Sequence, residues 1–123
     1  FQEDRLCPDF SAAANIRLVT GKRRGAAEIG AHLAELGLAE NADLPVRSFS
    51  GGMKRRVALA RAALAESGLL LLDEPFKGLD AETRLAAIRY IAKYAAEKTR
   101  LIVTHDPAEV ALLGGAVLEL GAC

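Results

Sequence analysis

The sequence predicts an α/β fold built on a parallel sheet, and two observations lead to this class. Four consecutive leucines, residues 69–72, lie between Gly68 and Pro75. Such a run suits a strand buried on both faces, because a half-exposed strand would alternate with polar residues. From there onward, strand-like and helix-like patterns alternate. The alternation predicts strands at 69–73, 100–104 and 116–120, with helices at about 81–98 and about 107–113.

The first part of the chain is expected to be helical. Residues 10–19 and 23–44 carry apolar residues at helical spacing, and in the second segment one face is lined by Ile29, Leu33 and Leu36. A loop then precedes a strong helix at 53–66, for which Gly68 is the expected stop signal. A boundary near residues 45–50 therefore separates a helical part from a sheet part.

Start signals define the two helices of the sheet part. Asp80 can cap the helix at about 81–98, while Asp106, Pro107 and Glu109 fit the N-cap, N1 and N3 positions of the next helix. The longer helix supplies a right-handed crossover between two parallel strands. Its buried face would consist of Leu85, Ile88 and Ile91.

Composition excludes several classes of protein. The 123 residues (13.0 kDa) suit one domain, and 16 basic against 16 acidic side chains give no bulk charge for binding nucleic acid. No apolar run approaches the roughly 18 residues of a membrane helix, and no secretory leader is visible. We therefore expect neither a nucleic-acid partner nor direct membrane insertion. Cys7 and Cys123 lack metal-ligand spacing and are expected to be two thiols.

Two acids directly follow the leucine run. Asp73 and Glu74 would lie at the carboxyl end of a parallel strand, where open sheets place their ligand crevice. His105 follows the next strand and would share the same edge. An isolated acidic pair often only begins a polar loop, and a lone histidine is more often a loop residue. Other motifs must therefore decide between the two interpretations.

A glycine pair begins the helix before the leucine run. Free amides and the helix dipole make a helix start an anion site, and Gly51 and Gly52 would let the backbone approach a phosphate, with the Ser50 hydroxyl as a further donor. On its own, Ser-Gly-Gly is commonly just a flexible cap.

Taken together, these stretches resemble the ATP-binding-cassette (ABC) ATPases. The chain has FSGGM and RRVALARAAL for the signature, LLLLDEP for Walker B, GLD for the D-loop, VTHD for the switch histidine and FQEDRL for the Q-loop. The resemblance covers residues 1 to about 120. It implies a partial P-loop NTPase (RecA-like) parallel sheet with an ABC α-helical subdomain, lacking the Walker A strand and loop. Residues about 1–66 would hold the Q-loop, helical subdomain and signature helix, and about 67–123 the Walker B, D-loop and H-loop part.

The resemblance implies a role for each residue of a Mg-ATP site. Asp73 would hold Mg²⁺, Glu74 would orient and polarise the attacking water, and His105 would contact the γ-phosphate. Gln2 would sense the metal and the water and link the site to the helical part.

A second group of residues would serve nucleotide held by another subunit. By the same resemblance, the signature stretch would bind the γ-phosphate across a dimer, and Asp80 would lie at that dimer interface. The stretch consists of Ser50, Gly51, Gly52 and Met53.

The chain departs from the family pattern in two places. Nothing matches G-x-x-x-x-G-K-[ST], because in TGKRR Arg23 stands where Ser or Thr is needed and Ile16 where the first Gly should be. The simplest explanation is that an upstream part is missing. Without that part, the strands at 100–104 and 116–120 would each lose a neighbouring strand. Met53 in place of Gln and Phe49 in place of Leu resemble the nitrate, sulfonate and taurine importer branch.

These features predict the nucleotide-hydrolysing subunit of a transporter, peripheral on the cytoplasmic face of the membrane. A second ATPase subunit and a permease contacted by residues 10–45 would be its partners, although those residues equally suit an ordinary solvated helical pair. The alternatives are an ABC ATPase of DNA repair or translation, and a non-catalytic interaction module. Alone, the chain is expected neither to bind ATP tightly nor to hydrolyse it. It is also expected to pair with another copy, to rearrange its last strand or to be poorly soluble. Solute and transport direction stay open.

Overall fold

The computed structural model describes residues 4–121 of the chain. In this part, helices and strands are joined by turns and short 3₁₀ segments. The elements are α1 (Ala12–Thr20), α2 (Ala26–Glu35), α3 (Gly51–Leu64), β1 (Leu69–Asp73), α4 (Ala81–Tyr94), β2 (Thr99–Val103) and α5 (Pro107–Leu113). Up to α5, this order confirms the predicted helical first part and the alternation of strands and helices that follows it.

Side-chain caps fix where four of the helices begin. Ser11, Ser50, Asp80 and Asp106 each accept a hydrogen bond from a backbone amide in the first turn of the helix that follows. Such a bond satisfies one of the amides that a helix start leaves without a partner. The caps expected at Asp80 and Asp106 are therefore confirmed, and Pro107 occupies the first helical position as predicted.

A continuous hydrophobic core joins the helical part to the sheet, because α3 packs against both α1 and α4. The predicted apolar face of α2 is buried, and Ile88 and Ile91 of α4 belong to the same core, whereas Leu85, predicted on that face of α4, is only half-buried. The buried residues of α2 and α3 and of the turn after α2 include Ile29, Leu33, Leu36, Val57, Ala60 and Leu64.

Two predicted helix ends are wrong by a few residues. Helix α3 spans Gly51–Leu64 rather than 53–66, because Ser50 caps it and the backbone at Ala65 is already extended. Gly68 therefore does not terminate this helix. Helix α4 ends at Tyr94 rather than near residue 98, because the chain must turn to enter β2 at Thr99.

The sheet consists of β1 and β2 in parallel, connected through α4. Leu70 is buried, but Leu71 is 63% exposed and Leu69 51% exposed. The prediction that β1 is buried on both faces is therefore wrong for this structure. The helices cover one face of the sheet, and nothing within residues 4–121 covers Leu69 and Leu71 on the other.

The strand predicted at 116–120 is absent, and this prediction is wrong as well. Residues 115–121 have no regular secondary structure, and their side chains are exposed, Leu118 and Leu120 by 85% and 86%. A strand needs a hydrogen-bonded neighbour, and the described residues provide none for this segment. Among residues 4–121 there is also no helix long and apolar enough to cross a bilayer.

Candidate functional site at the carboxyl ends of the two strands

The site begins where β1 and β2 end side by side. In the parallel register, Asp73 is the partner of Val103, and the amide of Glu74 donates a hydrogen bond of 2.8 Å to the Val103 carbonyl. The ladder thus continues one residue beyond β1. Residues that follow either strand therefore emerge at the same edge, where ligands bind in open parallel sheets.

Glu74 adopts a backbone conformation that is unusual for a residue with a side chain. Its φ is +47°, in the left-handed region, which costs about 1–2 kcal/mol for a non-glycine residue. Such strain persists only where the surroundings hold it in place, and it clusters at functional sites. Here the Val103 hydrogen bond and the buried Pro75 and Phe76 that follow fix the turn. The conformation aims the carboxylate towards the end of β2.

His105 meets that carboxylate. Its Nδ1 lies 2.6 Å from Oε1 of Glu74, although the two residues are separated by 31 positions. The imidazole is 80% exposed and the Glu74 side chain 23% exposed. The hydrogen bond to Glu74 and the negative charge of that carboxylate raise the pKa of His105. The prediction that these two residues share one edge of the sheet is borne out by this contact.

Asp73 lies beside this pair in an open cleft of about 300 Å³. Glu74 lines the same cleft, together with Arg55 of α3 and Lys77 of the turn that follows β1. Two carboxylates thus face two cations across a solvent-open space. The two cations were not predicted as site residues. The basic run KRR after the glycine pair was the sequence signal for Arg55, but only the packing of α3 shows which of its members reaches the cleft, and Lys77 lies outside that run.

The start of α3 forms a second predicted group. Ser50 Oγ accepts a hydrogen bond of 3.2 Å from the amide of Met53, and Gly51 and Gly52 are the first helical residues. A Cβ atom on Gly52 would lie 3.4 Å from Cδ2 of Leu79, at van der Waals contact, so the helix start packs beside the loop before α4. The predicted helix start is therefore present, with the amide of Met53 held by the Ser50 cap.

Asp80 and the start of α3 each make local capping hydrogen bonds. The Asp80 carboxylate accepts 2.9 and 3.0 Å hydrogen bonds from the amide and hydroxyl of Thr83, and the amide bond is the main cause of a lowered pKa for Asp80. Within residues 4–121, no hydrogen bond or ion pair joins either group to Glu74 or His105.

Gln2 lies outside the described residues. The chain that follows it is tied to α3, because Arg61 donates hydrogen bonds of 3.0 and 2.9 Å to the carbonyls of Arg5 and Asp4. Arg55 adds an ion pair of 3.3 Å with Asp4. Sequence reasoning missed both arginines in this role. Contacts across more than fifty positions leave no local signal.

A family profile described as "ABC transporter" matches residues 1–77. The chain therefore belongs to the ABC transporter family, as the sequence motifs predicted, and it carries part of the ATPase domain of that family.

Individual proteins similar to this chain narrow the comparison within the family. The chain is 45% identical to the "aliphatic sulfonates import ATP-binding protein SsuB 1" of Rhodococcus jostii, and the match covers 98% of the chain and 49% of that protein. It is 44% identical to the SsuB 3 protein of Nocardia farcinica, with the same coverage. The chain thus spans about half the length of the curated relatives it matches.

Solved structures support the fold directly. The structure titled "Dimeric Structure of MJ0796, a Bacterial ABC Transporter Cassette" superposes with a TM-score of 0.70 at 30% identity, over 91% of this chain and 53% of the other. A second structure of that cassette, in a post-hydrolysis state bound to ADP and Pi, matches equally well. The predicted fold class, a partial ABC cassette with a parallel sheet and a helical part, is confirmed.

Proposed function

We propose that this chain forms half of the ATP-hydrolysing subunit of an ABC importer. The observation that carries the proposal is the contact between Glu74 and His105 beside Asp73, at the carboxyl ends of two parallel strands. The family membership and the named relatives support it, because those relatives are import ATP-binding proteins. In this proposal residues about 1–66 and about 67–123 are the two functional parts of the chain.

The donor set fits a magnesium ion that takes most of its ligands from elsewhere. Among residues 4–121 there is no cluster of three or more His, Cys, Asp or Glu side chains able to hold a metal. Mg²⁺ in phosphate-transfer sites keeps several waters and binds through one or two carboxylates plus substrate phosphates. The exposed carboxylate of Asp73, beside the open cleft, can supply that contact. When bound, the ion would neutralise charge on the phosphates.

The protein's own groups then have separate tasks. Glu74 accepts a hydrogen bond from the attacking water and orients it, while His105 donates from its ring to the γ-phosphate. The raised pKa of His105 favours the protonated ring, which suits an anionic partner. Gln2 would sense the metal and the water. Phosphoryl transfer depends mainly on such positioning and charge stabilisation.

Two partners follow from the same proposal. A second ATPase subunit would receive the start of α3, with Ser50, Gly51, Gly52 and Met53 facing its nucleotide, and Asp80 would lie at that interface. The dimeric cassette structure supports this arrangement. A membrane permease would contact the helical part, residues 10–45, at the inner face of the membrane. The relatives favour aliphatic sulfonates as the solute class.

The part of the relatives that this chain does not match would complete the sheet. Exposed Leu71 and Leu101, 63% and 60%, lie on adjacent strands as register partners. We propose that this missing part covers them, supplies the Walker A loop and gives the segment 116–120 a strand neighbour. Activity is therefore expected in a complete cassette and not in residues 1–123 alone.

The test uses a composite cassette, defined as residues 1–123 joined to the portion of the Rhodococcus jostii relative that the match leaves uncovered. Glu74→Gln should lower ATP turnover by about 10²- to 10⁴-fold, the usual contribution of a positioned base, while Mg-ATP binding is retained. Glu97→Gln is the matched control, because Glu97 is exposed at the opposite end of β2. Equal turnover in Glu74→Gln and parent would contradict the assigned role. A parent that binds Mg-ATP without turnover would contradict the ATPase.

A further inference from the structure

Helix α4 links the two loops that carry Asp80 and His105. Asp80 caps the helix, and one turn later the amide of Arg84 donates a 2.8 Å hydrogen bond to the Asp80 carbonyl. The guanidinium of Arg84 extends the other way, and its Nη1 donates a 2.9 Å hydrogen bond to Oδ2 of Asp106. Asp106 directly follows His105. A single side chain thus bridges from the first turn of α4 to the turn between β2 and α5.

The turn that carries His105 is held by a network of side chains. Thr104 Oγ1 donates a 2.5 Å hydrogen bond to Oε2 of Glu109 and accepts one of 3.1 Å from the amide of Asp106. Asp106 Oδ1 accepts a further hydrogen bond from the amide of Ala108. Glu109 is only 5% exposed, and Arg84 Nη1 lies 4.0 Å from its Oε1. Arg84 therefore faces two carboxylates that belong to the network.

His105 itself has little to hold it. Its ring is 80% exposed, and its side chain makes one hydrogen bond among the described residues, to Glu74. The position of the ring therefore depends on the backbone of the turn, and that backbone depends on Asp106 and Thr104. The Arg84 side chain is only 29% exposed, so its ion pair with Asp106 is partly shielded from solvent screening.

We propose that Arg84 is a positioning residue for His105, holding the turn between β2 and α5 through Asp106 so that the imidazole meets Glu74. The inference rests on the proposed ATPase function and adds a residue that acts through others rather than on the nucleotide. Because Asp80 caps the first turn of α4, in which Arg84 lies, this side chain joins the helix start that follows the interface loop to the turn that carries His105.

Steady-state kinetics of the composite cassette provide the first test. Arg84→Gln is expected to lower kcat by about 10- to 100-fold, the scale of a misplaced catalytic group, with KM for Mg-ATP changed by less than about threefold. Arg84→Lys keeps the charge and one donor to Asp106, so it should recover much of the lost kcat. Arg89→Gln is the control, because Arg89 is exposed on the same helix. The kcat and KM of Arg89→Gln should equal those of the composite cassette without substitutions.

Backbone hydrogen exchange provides a test that does not depend on turnover. In Arg84→Gln, the amides within residues 104–110, where Pro107 has none, should exchange faster, whereas those of residues 29–36, in α2 and the residue that follows it, should exchange as in the parent. Unchanged exchange at 104–110 would overturn the inference even if the parent proved inactive, in which case the ATPase proposal fails separately. With an active parent, a normal kcat in Arg84→Gln would overturn it. A general structural defect would also overturn the inference. It would appear as a lower kcat together with a raised KM, faster exchange at residues 29–36 and no recovery of kcat in Arg84→Lys.

Discussion

The helical part and the sheet of this molecule differ in how completely their apolar side chains are covered. Ile16, Ile29 and Leu33 on α1 and α2 are fully buried, whereas Leu71 on β1 and Leu101 on β2 are more than half exposed. The helices find their packing partners within residues 4–121, because α1, α2 and α3 bury their apolar faces against one another. The sheet needs a further partner for its second face. Within residues 4–121, one face of the sheet is thus covered by helices and the other is open, and the candidate site lies at the carboxyl ends of the two strands.

A matched pair of leucine substitutions would break this comparison most directly. Leu33→Ala in the buried α2 should lower the free energy of unfolding by about 2–5 kcal/mol, because it removes a fully buried side chain and leaves a cavity. Leu71→Ala on the exposed sheet face should change it by less than about 0.5 kcal/mol. Urea unfolding of residues 1–123 measures both. Similar losses would mean that the sheet face is covered in solution.

Arg56 offers a smaller effect within the helical part. Its Nη1 donates a 2.8 Å hydrogen bond to the Leu36 carbonyl, and its Nε donates one of 3.2 Å to the Gly52 carbonyl. We expect Arg56→Gln to lower the free energy of unfolding by about 1.5–3 kcal/mol, the usual worth of a hydrogen bond to a charged group. Lys22→Gln, at an exposed position, serves as the control. Equal stability of the two variants in urea would show that Arg56 does not fasten α3 to the end of α2.

Local sequence patterns were sufficient to predict most of the helices and strands and to single out Asp73, Glu74 and His105, although they missed Arg55 and Lys77 of the cleft. Some signals act over only a few residues and can be recognised without knowing the fold: the leucine run, the caps at Asp80 and Asp106, and the glycine pair. That Glu74 and His105 share one edge followed from their positions after neighbouring strands, and the family motifs added their implied roles. These predictions succeed because parallel strands bring their carboxyl ends to one edge.

The failures have a different physical origin. Whether residues 116–120 form a strand depends on a neighbouring strand, and whether Leu71 is buried depends on what covers its face; neither depends on the local sequence. The left-handed backbone of Glu74 is imposed by its surroundings, since glutamate has no preference for it. Arg84 and Asp106 are 22 positions apart, so their contact becomes visible only when α4 packs against α5.

The smallest expected effect tests the central claim, that Glu74 and His105 are paired at the end of the sheet. Because the bond to Glu74 raises the pKa of His105, the pair stabilises the folded protein below the ordinary histidine pKa of 6.5. This contribution is lost as pH rises through the raised pKa. His32 is the internal reference, since burial lowers its pKa.

Titrating both histidine rings of residues 1–123 by NMR, with and without Glu74→Gln, is the most direct measurement. In the unsubstituted protein, the pKa of His105 should lie above 6.5 and that of His32 below it. Glu74→Gln should bring the pKa of His105 down towards 6.5 and leave His32 unchanged. A His105 pKa that is the same in both proteins would contradict the account, because the two strand ends would then not bring these side chains together.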